Sequence, residues 1–211
     1  MRLAVFGGTG GTGTQVIRQA LDRGHEVTAL ARTPEAVTIN DPGLRIIRGD
    51  VLTAGSADPV VADADAVISA LGIGFHRHAT TVYSAGTANI LAAMAKAGVR
   101  RLLVVSTSSL TVPSRRHLPE WLLTRLILHP LLKRPYADMA TMETRIRQST
   151  VDWTVVRAAG LTNAPAKDKY RTSTNGRLRN GWTISRADLA AYLLDHIKDP
   201  QSHQTTVELA Y

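Results

Sequence analysis

The chain has 211 residues, of which 44% are hydrophobic and 20% charged, values typical of one globular domain rather than of a disordered or fibrous protein. It contains no cysteine, which excludes disulfide scaffolds, cysteine-ligated metals and thiol nucleophiles. No apolar run approaches the ~18 residues of a membrane span, and the first residues lack the layout of a signal peptide. We therefore expect a cytoplasmic protein with a single domain over residues 1–211.

The net charge is +8, from 25 basic and 17 acidic residues. Residues 112–135 and residues 165–181 each carry five basic residues against one acidic residue, so these two segments account for the excess. Such patches bind nucleic acid, an anionic membrane surface or an anionic small molecule. No nucleic-acid-binding motif accompanies the charge. We expect a small-molecule partner, for which the basic segments favour an anion, with no nucleic acid and no membrane, and we favour a monomer over a homodimer.

In chain order, the first half alternates short apolar runs with amphipathic segments. The predicted strands are residues 2–6, 25–30, 44–47, 66–70 and 101–106, and the predicted helices are residues 14–23 and 80–97. Gly98 is a predicted helix C-cap. Short apolar strands that alternate with helices are typical of a parallel sheet covered on both faces. The sequence therefore predicts an α/β fold with a doubly wound parallel sheet.

The second half begins irregularly, with four prolines within residues 111–135. The apolar run 121–128 predicts a short amphipathic helix, which is either a surface excursion or a lid over the site. Further on, the predicted elements are a helix over 136–148, a strand over 152–156, loops or a hairpin over 165–181, a helix that starts with a capping box at Ser185 and runs to Lys198, and a strand over 205–209. We expect residues 111–135 and 160–184 to be insertions on the substrate side, the latter part of a small C-terminal substrate lobe.

A glycine-rich turn lies between the first predicted strand and the first predicted helix. Residues 7–13 read Gly-Gly-Thr-Gly-Gly-Thr-Gly. Glycines at positions 7, 10 and 13 supply a tight turn, room for a pyrophosphate and close packing of helix on strand. The N–H groups at the helix N-terminus bind phosphate, and two threonines can add hydroxyl donors. The sequence thus predicts a dinucleotide site that includes Gly7, Thr9, Gly10, Gly11, Thr12 and Gly13.

The end of the second predicted strand discriminates between cofactors. A carboxylate about 20 residues beyond the glycines binds the ribose 2′-hydroxyl of NAD, whereas an arginine accommodates the 2′-phosphate of NADP. This chain has Arg32 there and no carboxylate before Glu35. We therefore expect a preference for NADP(H) over NAD(H).

With these residues located, the chain resembles the short-chain dehydrogenase/reductase superfamily, and within it the atypical, NmrA-like branch that includes flavin reductase and biliverdin-IXβ reductase. The resemblance runs nearly end to end. It depends on the glycine-rich turn together with Gly49-Asp50-Val51, Asp65-Ala-Val-Ile-Ser-Ala-Leu-Gly72, Ser106-Thr-Ser108, Asp152-Trp-Thr-Val-Val-Arg157 and Ile184-Ser-Arg-Ala-Asp-Leu-Ala190. It implies a single Rossmann-type domain.

The resemblance also implies roles for residues at the strand ends. Asp50 and Val51 would flank the adenine, and Leu71 and Gly72 would pass beneath the adenosine ribose and pyrophosphate. Ser106, Thr107 and Ser108 would lie beside the nicotinamide ribose, with Ser108 closest to substrate. Residues 158–161, beginning with Ala158 and Ala159, would lie along the nicotinamide.

One departure from the superfamily concerns proton transfer. Most members use a Tyr-x-x-x-Lys pair, in which the lysine lowers the pKa of the tyrosine. Here the two positions are Pro135 and Met139, and Tyr136 is one residue out of register. The flavin/biliverdin reductase branch also lacks the pair, but its Pro-Pro-His run is replaced here by Ala158-Ala159-Gly160. Ser108 and Tyr136 are then the catalytic candidates.

Three functions stay open at this stage. The first is an NAD(P)H-dependent reductase that transfers hydride to a planar conjugated acceptor such as a flavin, quinone or tetrapyrrole. The second is a non-catalytic, NmrA-like regulator that senses NADP. The third is an epimerase or ketoreductase that tailors a specialised metabolite. We expect no metal site, because His76 and His78 lie in a polar stretch without a third ligand nearby.

Overall fold

A computed structural model describes residues 1–74, 78–112 and 121–211. The strands are β1 (Arg2–Phe6), β2 (Glu26–Ala31), β3 (Leu44–Arg48), β4 (Ala66–Ser69), β5 (Arg101–Thr107), β6 (Asp152–Ala158), β7 (Gly160–Thr162), β8 (Arg171–Thr174), β9 (Thr183–Ser185) and β10 (Thr205–Ala210). The α-helices are α1 (Gly11–Asp22), α2 (Asp58–Val61), α3 (Ser84–Ala97), α4 (His129–Gln148) and α5 (Arg186–Asp195). Short 3₁₀ turns cover Pro34–Ala36, Ser108–Leu110 and Pro200–Ser202, and a π-helix covers Leu123–Leu128.

Eight strands form one sheet in the order β3-β2-β1-β4-β5-β6-β10-β8. All neighbouring strands are parallel except β8, which pairs antiparallel with β10. The chain runs outward from β1 to β3 and then returns to the other side of β1 at β4. This reversal leaves a crevice at the carboxyl ends of β1 and β4, where open α/β sheets bind ligands. The predicted fold class is confirmed.

The alternation of side chains along each strand separates two cores. Leu3 and Val5 face the layer that contains α1 and α5, whereas Ala4 and Phe6 face the layer of α2, α3 and α4. Because both faces are covered, the central strands are apolar throughout rather than alternating with polar residues. The sheet that bears the crevice is thereby packed between two helix layers.

Several predicted boundaries were wrong for identifiable reasons. Helix α1 begins at Gly11, because the glycine-rich turn itself supplies the first helical residues. Helix α4 begins at His129 rather than 136 and continues through Pro135, with a kink at Leu132 (φ −112°, ψ 18°). A proline in a helix removes one hydrogen bond and kinks the backbone instead of ending the helix here. Helix α5 ends at Asp195, three residues before Lys198.

The two expected insertions behave differently from each other. Within 160–184, β7 and β9 form a small two-stranded parallel sheet, while β8 extends the edge of the main sheet where loops or a hairpin were expected. Within 111–135, the predicted amphipathic helix is a π-helix that continues into α4. Residues 113–120 of that segment, with the basic Arg115 and Arg116, lie outside the described residues, as does His76.

Candidate functional site

A cleft of about 860 Å³ crosses the carboxyl edge of the sheet, near the upper end of the range for small-molecule sites. Most of the residues expected from the sequence line it, namely Gly7, Thr9, Gly10, Gly11, Thr12, Arg32, Asp50, Val51, Leu71, Gly72, Ser106, Thr107, Tyr136, Ala158 and Ala159. Two expected residues, Gly13 and Ser108, do not line it. The cleft therefore extends from the end of β2 to helix α4.

The glycine-rich turn forms one wall of the cleft through its backbone. Gly10 is the N-cap of α1, with extended φ and ψ and no side-chain hydrogen bond to the first turn of the helix. The first N–H groups of a helix have no partner within the helix, so here they are available to an anion in the cleft. The positive end of the helix dipole favours negative charge at the same place. This end of the cleft is suited to phosphate.

Two glycines make the turn possible by close backbone approach. Gly7 has a φ of +83°, and a Cβ placed there would lie 2.3 Å from the carbonyl oxygen of Ala70. A Cβ on Gly13 would lie 2.1 Å from the carbonyl oxygen of Gly7. Gly13 is thus buried behind the turn and packs α1 against it, which is the packing role expected from the sequence and not a cofactor contact.

The end of the cleft at β2 carries two arginines. Arg32 is exposed and lines the cleft. Arg48, at the end of the adjacent strand β3, donates a hydrogen bond of 3.3 Å to the Arg32 carbonyl and forms an ion pair with Glu35. The backbone N–H of Glu35 and the charge of Arg48 lower the pKa of that carboxyl. Arg48 therefore neutralises the charge of Glu35, which is the first carboxylate after Arg32 in the sequence. The sequence pattern did not reveal this ion pair.

Helix α3 fixes the position of two expected adenosine contacts. Asn89 donates a hydrogen bond of 2.7 Å to the carbonyl of Val51. A Cβ on Gly86 would lie 3.1 Å from side-chain atoms of both Val51 and Leu71, so α3 packs closely against both. Asp50 lines the cleft while its carboxylate accepts a hydrogen bond of 3.0 Å from the Leu52 N–H. The positions of Gly86 and Asn89 on one helix face were the available sequence signal for these supporting contacts.

At the opposite end, a buried carboxylate supports the floor of the cleft. Glu143 on α4 accepts hydrogen bonds from Ser106 (2.8 Å), from Arg157 (2.9 and 2.6 Å) and from Arg147 (2.6 Å). Burial raises the pKa of the Glu143 carboxyl, but the bonds and charge of Arg157, with the bonds from Ser106 and Arg147, outweigh it and lower the pKa overall. Glu143 is therefore an anion that orients Ser106 rather than a proton donor.

Tyr136 lies at this end of the cleft among hydroxyl groups. Burial raises the pKa of its phenol, and side-chain hydrogen bonds with Ser109 and Thr107 oppose this only in part. The ring packs edge-on against His129 at 5.4 Å between centroids, and His129 Nε2 lies 3.0 Å from the Ser109 carbonyl oxygen. Tyr136 is thus a protonated hydrogen-bond donor that is held in place.

The structure corrects the expected position of Ser108. Residues Ser108–Leu110 form a 3₁₀ turn directly after β5, which directs Ser109 toward the cleft and turns Ser108 away. Ser108 instead lines a separate small cavity beside Arg177 and Glu208. The motif indicated Ser108, whereas Ser109 lines the cleft, because a strand-end motif does not specify where the strand ends and the turn begins.

The cationic groups at the cleft are also not those that the charge pattern indicated. Among the described residues, the arginines that line the cleft are Arg32 and Arg186, and none belongs to the two basic segments. In the second basic segment, Arg171 donates to backbone carbonyls, including that of Tyr211 at the chain end, and Arg177 donates to the carbonyl of Thr111. Much of this charge stabilises irregular backbone.

The chain is similar to proteins of a known family. A model of the family described as NAD(P)H-binding matches residues 7–200. The chain belongs to this family. An uncharacterised chloroplastic protein of Arabidopsis thaliana is 29% identical over 218 residues, which cover 99% of this chain and 76% of the relative.

Solved structures agree in fold. A short-chain dehydrogenase/reductase of Veillonella parvula in complex with NADP superposes with a TM-score of 0.82 at 18% identity, covering 100% of this chain and 94% of the other. ChuY, an anaerobillin reductase of Escherichia coli, superposes with a TM-score of 0.79 at 20% identity, covering 100% and 97%. The predicted Rossmann fold and the predicted membership of an NAD(P)-binding family are confirmed.

Two further expectations concern metals and membranes. In the described ranges, there is no group of three or more histidine and carboxylate side chains placed to hold a metal ion. No helix within residues 1–74, 78–112 and 121–211 is long and apolar enough to cross a bilayer. The cytoplasmic location stays a prediction, and the relative from Arabidopsis is chloroplastic.

Proposed function

We propose that this protein is an NADPH-dependent reductase that transfers a hydride to a planar conjugated acceptor such as a flavin, a quinone or a tetrapyrrole. The observation that carries the proposal is the composition of the cleft at α4. Tyr136 is present there as a neutral donor, while Met139, at the position of the usual lysine, lines the cleft beside it. Such a site orients an acceptor but does not drive strong acid–base chemistry.

The choice of NADPH over NADH is supported by the charges at the end of β2. Arg32 is an exposed guanidinium at the edge of the cleft, and Arg48 neutralises Glu35 three residues further on. A guanidinium matches the geometry of a phosphate group, whereas an unpaired carboxylate at this position would repel it. The 2′-phosphate of NADPH therefore has a favourable site that the 2′-hydroxyl of NADH does not use.

When bound, the reduced nicotinamide supplies a hydride. The chain contributes position and shielding through apolar residues that line the cleft, namely Leu128, Met139, Ala158, Ala159 and Leu161. The Tyr136 hydroxyl donates a hydrogen bond to an acceptor oxygen. A conjugated acceptor delocalises the charge that the hydride brings, so its proton comes from water and no ionisable acid is needed.

The direct test is the oxidation of NADPH by the purified protein, followed by the absorbance of the reduced nicotinamide with flavins, quinones and biliverdin as acceptors. We expect acceptor-dependent turnover by at least one conjugated acceptor, and none with simple aliphatic ketones. Absence of turnover over the whole panel, by protein that binds NADPH, would contradict the proposal. Size-exclusion chromatography tests the accompanying expectation of a monomer.

A second candidate function is a regulator that binds NADP without turnover. The specific observation in its favour is Met139, because a methionine in the cleft leaves Tyr136 without the lysine that activates the tyrosine in most relatives. This candidate predicts that oxidised and reduced cofactor bind with different affinities and that bound cofactor changes the capture of a partner protein. Turnover with a conjugated acceptor would exclude it.

A further inference from the structure

Arg186, the first residue of α5, lies against the glycine-rich turn. A Cβ placed on Gly11 would lie 2.8 Å from Arg186 Cδ and 2.9 Å from Arg186 Nε. The side chain thus occupies space that exists only because residue 11 has no side chain. Arg186 also lines the cleft together with Thr9, Gly10 and Thr12.

The guanidinium of Arg186 has few partners for a half-buried cation. It donates one hydrogen bond of 2.8 Å to Asn163 Oδ1, and no described carboxylate forms an ion pair with it. By contrast, Arg157 donates hydrogen bonds of 2.9 and 2.6 Å to the Glu143 carboxylate. A guanidinium has five N–H donors, so this one can bind an additional acceptor in the cleft.

The local electrostatics indicate that the missing acceptor is an anion. The N-termini of α1 and α5 meet at this place, since Arg186 begins α5 and lies over Gly11, which begins α1. The α1 dipole presents its positive end here, and a guanidinium adds a full positive charge, whereas the first turn of α5 already contains the Asp188 carboxylate. An anion between the α1 N–H groups and Arg186 would be bound from two sides.

The position of Arg186 is fixed before any ligand binds. Gln19 on α1 donates a hydrogen bond of 2.9 Å to the carbonyl of Ala187, which ties the start of α5 to α1. Ser185 caps α5 by accepting a hydrogen bond of 2.9 Å from the Asp188 N–H. A preorganised group loses little conformational freedom on binding, which increases its contribution to affinity.

We propose that Arg186 is a ligand of the cofactor's diphosphate bridge and holds it against the glycine-rich turn, with Asn163 orienting the guanidinium. This inference rests on the proposed cofactor site but not on turnover. The sequence did not indicate this role of Arg186, because Arg186 lies 175 positions after Gly11 (186 − 11). Charge-assisted hydrogen bonds to phosphate are the stronger class of hydrogen bond, and arginine forms them in pairs.

The test uses calorimetry with two probes on the full chain. NADP⁺ contains the diphosphate bridge, whereas adenosine 2′-phosphate contains only the part that Arg32 would bind. We expect Arg186→Ala to weaken NADP⁺ binding by about 10–100-fold and adenosine 2′-phosphate binding by less than about twofold. Arg32→Ala should weaken both. The matched control is Arg18→Ala, which removes an exposed charge from α1 outside the cleft and should weaken neither.

Two further variants test the geometry. Gly11→Ala should displace Arg186 and weaken NADP⁺ binding, but should add no further loss when Arg186 is already alanine. Asn163→Ala should weaken NADP⁺ binding by only about threefold, because it removes orientation and not charge. The melting temperature of ligand-free Arg186→Ala should equal or exceed that of the wild type, which excludes misfolding as the cause.

The outcomes separate the two proposals. If Arg186→Ala binds NADP⁺ as tightly as the wild type, or weakens both probes equally, Arg186 is not a diphosphate ligand. If the wild type binds neither probe, the cofactor site itself fails. If the wild type binds NADP⁺ through Arg186 but oxidises NADPH with no acceptor, this inference holds and the reductase proposal is rejected.

Discussion

The two ends of the cleft differ in what forms their walls, which is backbone at one end and side chains at the other. At the phosphate end, backbone N–H groups and glycines without side chains form the wall, and close contacts such as that of Gly13 with Gly7 set its shape. At the other end, where we propose that the acceptor binds, side chains from β5, β6 and α4 form the wall, and the buried Glu143 links them by hydrogen bonds. The shape of the first end depends on the absence of side chains, and the shape of the second end depends on which side chains are present.

This difference explains how the two ends can diverge. A backbone wall accepts any nucleotide diphosphate and tolerates few substitutions, because a single Cβ would collide with backbone. A wall of side chains changes with each substitution, so proteins that share the first end can reduce different acceptors. Substitutions at the two ends should therefore differ in their effects on stability, cofactor affinity and turnover.

The largest effect is expected at the acceptor end, from Glu143→Gln. The variant keeps the shape of the side chain but removes the charge that pairs with Arg157 and Arg147, and breaking a buried pair costs about 3–5 kcal/mol. Urea denaturation measures the loss in free energy of unfolding. Arg48→Ala, which breaks an exposed pair, is the control and should cost less than about 1 kcal/mol.

The difference in folding stability between the wild type and Glu143→Gln should depend on pH. The folded pKa of Glu143 is lowered below its ordinary value of 4.5, so the ionised carboxylate stabilises the fold fully above that value. This stabilisation is lost as the pH falls through the lower, folded pKa. The stability difference between wild type and Glu143→Gln should therefore shrink below about pH 4.5. A difference that grows on acidification would contradict the account.

At the phosphate end, the single methyl group added by Gly13→Ala should be strongly destabilising. Its Cβ would lie 2.1 Å from the Gly7 carbonyl oxygen, so α1 or the turn must move. Overpacking of this kind costs about 3 kcal/mol, and the displaced turn should also lose cofactor affinity. Gly24→Ala has no heavy atom within 4 Å and a φ of +72°, so the control should cost only about 1 kcal/mol and leave cofactor affinity unchanged.

The residues of the phosphate end could be predicted from the sequence because they are neighbours along the chain. Seven consecutive residues between a strand and a helix specify the turn, and the alternating apolar pattern specifies the sheet around it. The acceptor end joins residues such as Thr107, Tyr136 and Ala158 from distant parts of the chain, and neither their directions nor the kink at Leu132 follows from local pattern. Ser108 was therefore chosen over Ser109, and Arg48 and Arg186 were missed.

Arg32→Ala should alter cofactor choice without altering stability. Loss of a charged hydrogen bond to the 2′-phosphate costs about 1.5–3 kcal/mol, which is roughly a 10–100-fold loss in NADPH affinity. NADH affinity should be nearly unchanged, since NADH has only an uncharged 2′-hydroxyl at that position. Arg45→Ala, which removes an exposed arginine of β3 outside the cleft, is the control for net charge. Equal losses for NADPH and NADH would contradict the assignment.

The smallest effect is expected from Tyr136→Phe. Removing one neutral hydrogen-bond donor costs about 1 kcal/mol, so kcat with a conjugated acceptor should fall about fivefold while cofactor affinity is kept. Since the pKa of Tyr136 is raised above 10, the wild-type rate should show no titration of this group at neutral pH. Ser108→Ala should have no effect, because Ser108 lies outside the cleft. A larger effect from Ser108→Ala than from Tyr136→Phe would reverse the assignment.

One titration tests the whole account most directly. Isothermal calorimetry of the wild-type chain with NADPH and, separately, with NADH measures whether the glycine-rich turn and Arg32 form a working nucleotide site. We predict one equivalent of NADPH bound per chain, at least about tenfold tighter than NADH. Folded protein that takes up neither nucleotide, or that favours NADH, would contradict it.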